Sequence, residues 1–134
     1  MQLSMAAELG VRGILVLAGR GGDGPVPLEA ICLERKLPRD YLTKIFGALK
    51  RAHLVRAIRG KGGGYVLGRP ASEISLLEVI EAVEGPLAMN LCQHDPPQCE
   101  ERNCRVRPIW TEIQEKVRSI LASRTLDELT CDEP

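Results

Sequence analysis

The sequence predicts a mainly α-helical fold, a winged helix-turn-helix. Helical periodicity fills both ends of the chain, two proline-opened segments lie side by side at residues 27–51, and two short strand-like runs flank a glycine-rich tip. The expected architecture adds to the two-stranded wing a cysteine-containing loop and a long C-terminal dimerisation helix. With 134 residues there is room for one compact domain and an appended element. The single Phe, single Trp and two Tyr leave a core of Leu, Ile, Val and Ala, which helix packing uses more readily than sheet packing.

Leu3, Ala6, Ala7, Gly10, Val11, Ile14, Leu15, Leu17 and Ala18 recur at three- and four-residue steps, so residues 4–19 read as a helix with one buried face. The glycine cluster at 19–24 ends it. No strand precedes that cluster and no Lys-Ser or Lys-Thr pair follows, so it is a turn and not a phosphate loop. Pro27 suits a first helical turn, and Leu28, Ile31, Cys32 and Leu33 make residues 27–36 a short amphipathic helix. Pro38 opens a third helix over 38–51. There Leu42, Ile45, Phe46 and Leu49 form the apolar stripe, leaving Arg39, Asp40, Thr43, Lys44, Lys50 and Arg51 toward other sides.

Residues 54–58 and 65–67 are strand-like runs separated by Arg59-Gly60-Lys61-Gly62-Gly63-Gly64. Glycines there remove bulk while Arg59 and Lys61 supply charge, so the tip of this hairpin suits close approach to a phosphate backbone. Ser75-Leu76-Leu77-Glu78 has the capping-box pattern and starts a helix over 75–84, which Gly85-Pro86 stops. Residues 86–105 show no sustained periodicity but carry three cysteines and two adjacent prolines, which describes a loop held by something other than its own core. From Pro108 a long helix places Ile109, Trp110, Ile113, Val117, Ile120 and Leu121 on one side and Glu112, Glu115, Lys116 and Arg118 on the other. The simplest partner for that apolar side is the same helix of a second subunit about a two-fold axis. A second capping box, Thr125-Leu126-Asp127-Glu128, allows a terminal turn before a polar tail. The expected divisions are a winged helix-turn-helix domain at 1–85, a cysteine-containing loop at 86–105, and a dimerisation helix with its tail at 106–134.

The formal charge of zero hides an asymmetry. Residues 35–69 hold ten Lys or Arg and one acid, Asp40, leaving eight bases and 17 acids elsewhere. A concentrated positive field of this kind suits a polyanion, although charge alone also fits a solvated, salt-bridged surface. The longest apolar stretch, 14–18, is far shorter than the roughly 20 residues of a bilayer span, and the N-terminus has no secretory pattern. A cytoplasmic protein with no membrane partner is therefore expected. Five cysteines are an odd number for a disulfide framework, and clustered thiols in a reducing compartment more often serve metals or redox chemistry.

Cys92, Cys99 and Cys104 are separated by six and then four residues. Three soft thiolates from one irregular loop can wrap an iron-sulfur cluster or a zinc ion if a fourth ligand is found, and the spacing leaves cluster, zinc and free thiols open. Cys32 lies on an apolar helix face and reads as a small core residue, and His53, where the third helix ends, reads as a structural partner of the helix dipole. Cys131, in an acidic tail, carries no assigned role. No close pairing of nucleophile and base is visible, so an enzyme with a small-molecule substrate is not expected.

Nearly the whole chain resembles the Rrf-two family of iron-sulfur winged-helix transcriptional regulators. The resemblance rests on Met1-Gln2-Leu3-Ser4, on Tyr41-Leu42-x-x-Ile45-Phe46-x-x-Leu49, on the wing from Lys61 to Pro70, on Glu81-Ala82-Val83-Glu84-Gly85, and on the three-cysteine loop, in that order. It implies a homodimer, a repressor on a double-stranded DNA operator, that sets helix 38–51 of each subunit in a major groove and each wing near a minor groove. By that likeness Arg39, Tyr41, Thr43, Lys44 and Arg51 face bases or phosphates, and Arg59, Lys61 and Gly62 serve the wing; Tyr41 equally suits partly buried packing. It further implies that Cys92, Cys99 and Cys104 ligate a 2Fe-2S or 4Fe-4S cluster that reports redox state, nitric oxide or iron-sulfur status. Some members add a His shortly after the third cysteine, where this chain offers only Arg105 and Arg107, which cannot ligate. Others take a carboxylate from the partner's first helix, and the matching residue is Glu8, favoured over His94. The alternatives are a winged-helix regulator that uses zinc or a thiol switch, and an iron-sulfur electron carrier.

Overall fold

The structure is a computed structural model, described for residues 2–21 and 23–130. Cys131 lies outside the described residues.

Ser4 caps the first helix, α1 (Met5–Gly19), its Oγ accepting from the Ala7 N–H at 3.0 Å. The next two helices are α2 (Leu28–Arg35) and α3 (Arg39–Arg51). Pro27 and Pro38 stand just outside them as N-caps, not inside the first turn as the sequence suggests. Between α2 and α3, Lys36 adopts a left-handed conformation (φ 54°) and Leu37 is buried, which turns the chain sharply enough to make a helix-turn-helix. Strands β1 (Val55–Ile58) and β2 (Gly64–Leu67) form the antiparallel wing, with Val55 opposite Leu67 and Ile58 opposite Gly64. Local periodicity did not reveal a further rung. Val26 and Tyr65 exchange both backbone hydrogen bonds, at 2.9 and 2.8 Å, and so pin the wing to the turn before α2.

Helix α4 (Leu76–Glu84) begins with the expected capping box: the Glu78 N–H donates to Ser75 Oγ at 3.2 Å and the Ser75 N–H donates to Glu78 Oε2 at 2.8 Å. An irregular segment containing one 3-10 turn (Leu91–Gln93) then leads to α5 (Arg107–Ser123) and the short α6 (Leu126–Leu129). The mainly helical class and the two-stranded wing are both as the sequence predicts. No helix among the described residues is long and apolar enough to cross a membrane.

The core forms where α1 lies across α3 and α4. All four stripe residues of α3, Leu42, Ile45, Phe46 and Leu49, are buried there, and the Phe46 ring meets Tyr65 edge-on at 4.9 Å. Two glycines permit this closeness. A Cβ on Gly13 would stand 2.8 Å from Phe46 Cε2, and one on Gly10 would stand 3.0 Å from Val83 Cγ2 and 3.2 Å from Ile45 Cγ2. Helices α1, α3 and α4 thus touch around a point that has no side chain of its own.

The C-terminal end folds back on the rest of the chain. Helix α5 runs along α4 and returns the chain to where α4 began: the Leu76 N–H donates to Arg124 O at 2.8 Å and the Leu126 N–H donates to Ile74 O at 3.0 Å. Leu126, read from sequence as part of a terminal turn, is fully buried in the same core as α1 and α3. Leu126 thereby meets residues far from it in sequence. The reason is a long-range return that periodicity does not encode.

Two outcomes follow. Leu126→Ala removes a buried side chain and should lower unfolding free energy in urea by about 2–5 kcal/mol; unchanged stability would place Leu126 outside the core. For Glu78, burial works to raise its carboxyl, but the Ser75 N–H and the Arg69 guanidinium outweigh it and hold its pKa below the ordinary value. A depressed carboxylate stabilises the fold above its unfolded pKa, about 4.3, and that stability is lost as pH falls through the lower folded value. Glu78→Gln, which can still cap but carries no charge, should therefore lower stability at neutral pH, leave it little changed below the folded pKa, and so flatten the acid limb of the stability profile.

Candidate functional site

Two regions carry the chemistry singled out in the sequence. The first is α3 with the wing. Because the apolar stripe of α3 is spent on the core, its other faces must meet solvent: Thr43, Lys44 and Arg51 are exposed, and Tyr41 is 39% exposed. The Thr43 hydroxyl donates to Arg39 O at 3.0 Å, which leaves its oxygen lone pairs outward. Arg39 pairs with Glu29 of α2 at 2.7 Å, both side chains about two-thirds exposed. Such a pair contributes about 0–1 kcal/mol, so Arg39 is held only weakly. Arg59, Lys61 and Gly62 are all exposed at the wing tip, Gly62 with φ 78°. Helix and tip stand on one core through Phe46 and Tyr65, giving a rigid basic surface with a protruding loop. His53 follows α3 with φ 62° and is exposed.

The second region is the segment between α4 and α5. Cys92, Cys99 and Cys104 are free thiols, each half-buried. Cys92 Sγ donates to Asn90 Oδ1 at 3.2 Å and accepts from Gln93 Nε2 at 3.2 Å. By chemistry this donor set fits an iron-sulfur cluster: three soft, unpaired sulfur donors on one segment with little regular structure, able to rearrange around a metal. By placement a single chain does not gather them. Among the described residues no three His, Cys, Asp or Glu side chains stand close enough to share a metal ion. Glu8 is exposed in the first turn of α1. His94 is half-buried and lines a cleft of ≈540 Å3 with Leu3, Leu87, Val117 and Leu121, a cleft that none of the three cysteines lines. Cys32 is half-buried on α2, its thiol pushed up by burial against the lowering effect of Arg39.

Sequence reasoning missed what anchors this segment. Glu81 Oε2 accepts from the Leu87 N–H at 2.7 Å and from Arg118 Nη1 at 2.9 Å. Gln114 accepts from the Met89 N–H at 2.8 Å and donates to Leu87 O at 2.5 Å. Arg118, read as part of a solvent face, thus turns to α4. The available signal was Gln114, a polar residue at helical spacing with Trp110, Val117 and Leu121. At the other end of α4, Glu84 Oε1 accepts from the Ser4 N–H at 2.5 Å, so both acids of the Glu81-x-x-Glu84 motif bind backbone.

Comparison with known proteins agrees with this layout. The family model Rrf2, described as an iron-dependent transcriptional regulator, matches residues 3–132. The chain is similar to the HTH-type transcriptional regulator IscR of Xenorhabdus nematophila, 34% identical over 129 residues that cover 96% of this chain and 79% of that protein. Its fold is similar to that of CymR (YrzC), the global cysteine regulator of B. subtilis, with TM-score 0.85 and 30% identity over 97% of this chain and 96% of the other. The oxidised form of Staphylococcus aureus CymR superposes with TM-score 0.80 at 30% identity, covering 100% of this chain and 99% of that one.

Proposed function

The chain belongs to the Rrf2 family of transcriptional regulators, DNA-binding winged-helix proteins and not enzymes, and we propose that it acts as a homodimeric repressor under control of an iron-sulfur cluster. The observation that carries this reading is the set of three unpaired, half-buried thiols on the one segment joining α4 to α5. Cys92, Cys99 and Cys104 would hold the cluster, and Glu8 of a second subunit would complete it. His94 is the weaker candidate, since it lines a cleft apart from the cysteines. A bound cluster would supply a tie that oxidants or nitric oxide can break. A coupling of about 1–3 kcal/mol between that tie and DNA would change operator occupancy 5- to 150-fold.

Dimerisation has a ready surface in α5, where Ile109 is 52% and Ile120 is 60% exposed with no partner among the described residues. In the reading of DNA, Tyr41, Thr43 and Lys44 of α3 enter the major groove, Arg39 and Arg51 flank it, and Arg59, Lys61 and Gly62 meet the backbone from the wing. A thiol switch without iron is the second reading. It is favoured by the oxidised form in which a similar regulator, that of Staphylococcus aureus, is known.

Protein purified without oxygen should contain iron and acid-labile sulfide, and serine at Cys92, Cys99 or Cys104 should abolish both. Absence of both elements from wild type, with operator affinity that changes on thiol oxidation, would establish the second reading instead. Glu8→Ala should alter the visible spectrum; an unchanged spectrum there with an altered one in His94→Ala would move the fourth ligand to His94. Lys44→Ala and Arg59→Ala should each weaken operator binding and lower the salt slope by about one unit per lost phosphate contact. Unaltered slopes in both would remove these residues from the interface.

A further inference from the structure

Gln114 is the one buried polar side chain identified among the described residues, 8% exposed, and it uses both ends of its amide. Leu87 and Met89, the residues it binds, belong to a stretch without regular structure that leaves α4 through Gly85 and Pro86. Glu81 takes the remaining Leu87 N–H and braces itself on Arg118. Gln114 lies between α4 and α5 beside the Glu81–Arg118 pair. An amide there must be matched by partners, because a buried unpaired one is costly. Its placement is explained by the backbone it holds. One turn earlier on α5, Thr111 accepts from Gln93 Nε2 at 3.0 Å, and the same Gln93 amide reaches Cys92 Sγ. A displacement of Cys92 therefore acts on α5 beside Gln114.

From α4 the contacts continue inward. Val83 is packed at the side-chain-free surface of Gly10, which Ile45 of α3 also approaches, so α4 cannot shift without pressing on the helix that carries Lys44. We infer that Gln114 and Glu81 are positioning residues that lock the start of the thiol segment to α4 and α5 and so pass the state of the thiols to α3. This inference rests on the reading of that segment as the sensor. Contiguous contacts alone do not establish coupling, so the test measures the coupling itself.

The full chain is compared as wild type, Gln114→Leu and the milder Gln93→Leu. Each is studied with its thiols in two states, iron-loaded against iron-stripped, or reduced against oxidised if wild type holds no iron. Two quantities are read: amide hydrogen exchange at Met89, and the ratio of operator affinities between the two states. In Gln114→Leu, Met89 exchange should accelerate on the order of tenfold, the loss of one hydrogen bond, while amides of α1 and α3 keep their protection. Its affinity ratio should fall toward one with bound iron retained, and Gln93→Leu should lower the ratio while leaving Met89 protected. A purely structural role would shift the melting temperature and both affinities together and leave the ratio as in wild type, which would overturn the inference. If the wild-type ratio is itself one, the sensor reading fails and this inference with it. A wild-type ratio well above one that both variants preserve removes the positioning role alone.

Discussion

Helix α1 can lie close across α3 and α4 only because Gly10 and Gly13 present no side chain where Val83, Ile45 and Phe46 come nearest. That absence of bulk governs much of the molecule. It sets how deeply the α3 stripe is buried, and thereby which residues of α3 remain outside. Through Phe46 and Tyr65 it also sets where the wing stands relative to that helix, since the wing is fastened to the same core and, at Val26, to the turn before α2. A reading head needs this rigidity, because base and phosphate contacts are made by side chains whose spacing is inherited from the scaffold.

Charge is distributed on that scaffold with a clear division. The basic residues of 35–69 occupy α3, the wing and their flanks, while the acids are spread over the remaining elements, many of them occupied with structural duties. Glu78 closes a capping box, Glu81 holds the backbone that follows α4, and Glu84 holds the one that precedes α1. A formally neutral chain can in this way present a strongly positive surface without carrying a net charge that repels itself.

The thiol segment has the opposite character from the reading head. It has no apolar core, one 3-10 turn, and a few side-chain bonds that tie it to α4 and α5. Placing reactive groups on an adaptable segment, and tying that segment by discrete polar contacts to packed helices, separates the part that must rearrange from the part that must not. A single chain does not bring the cysteines together, which is consistent with completion by a metal, by oxidation or by a second subunit.

Much of this was written locally in the chain. Leu42, Ile45, Phe46 and Leu49 announce the buried face of α3, Ser75 and Glu78 announce the start of α4, and the glycines after Arg59 announce the wing, because helical repeat, capping and turn chemistry are interactions between near neighbours in sequence. The three cysteines stand out by residue type alone. The tertiary structure decided the rest: that Val26 pairs with Tyr65, that Leu126 completes a core begun more than a hundred residues earlier, and that the Gln114 amide is spent on Leu87 and Met89. In each case the residue's own surroundings in sequence show only that it is apolar or polar. Which distant atoms satisfy it depends on where other elements pack, and no local pattern records that.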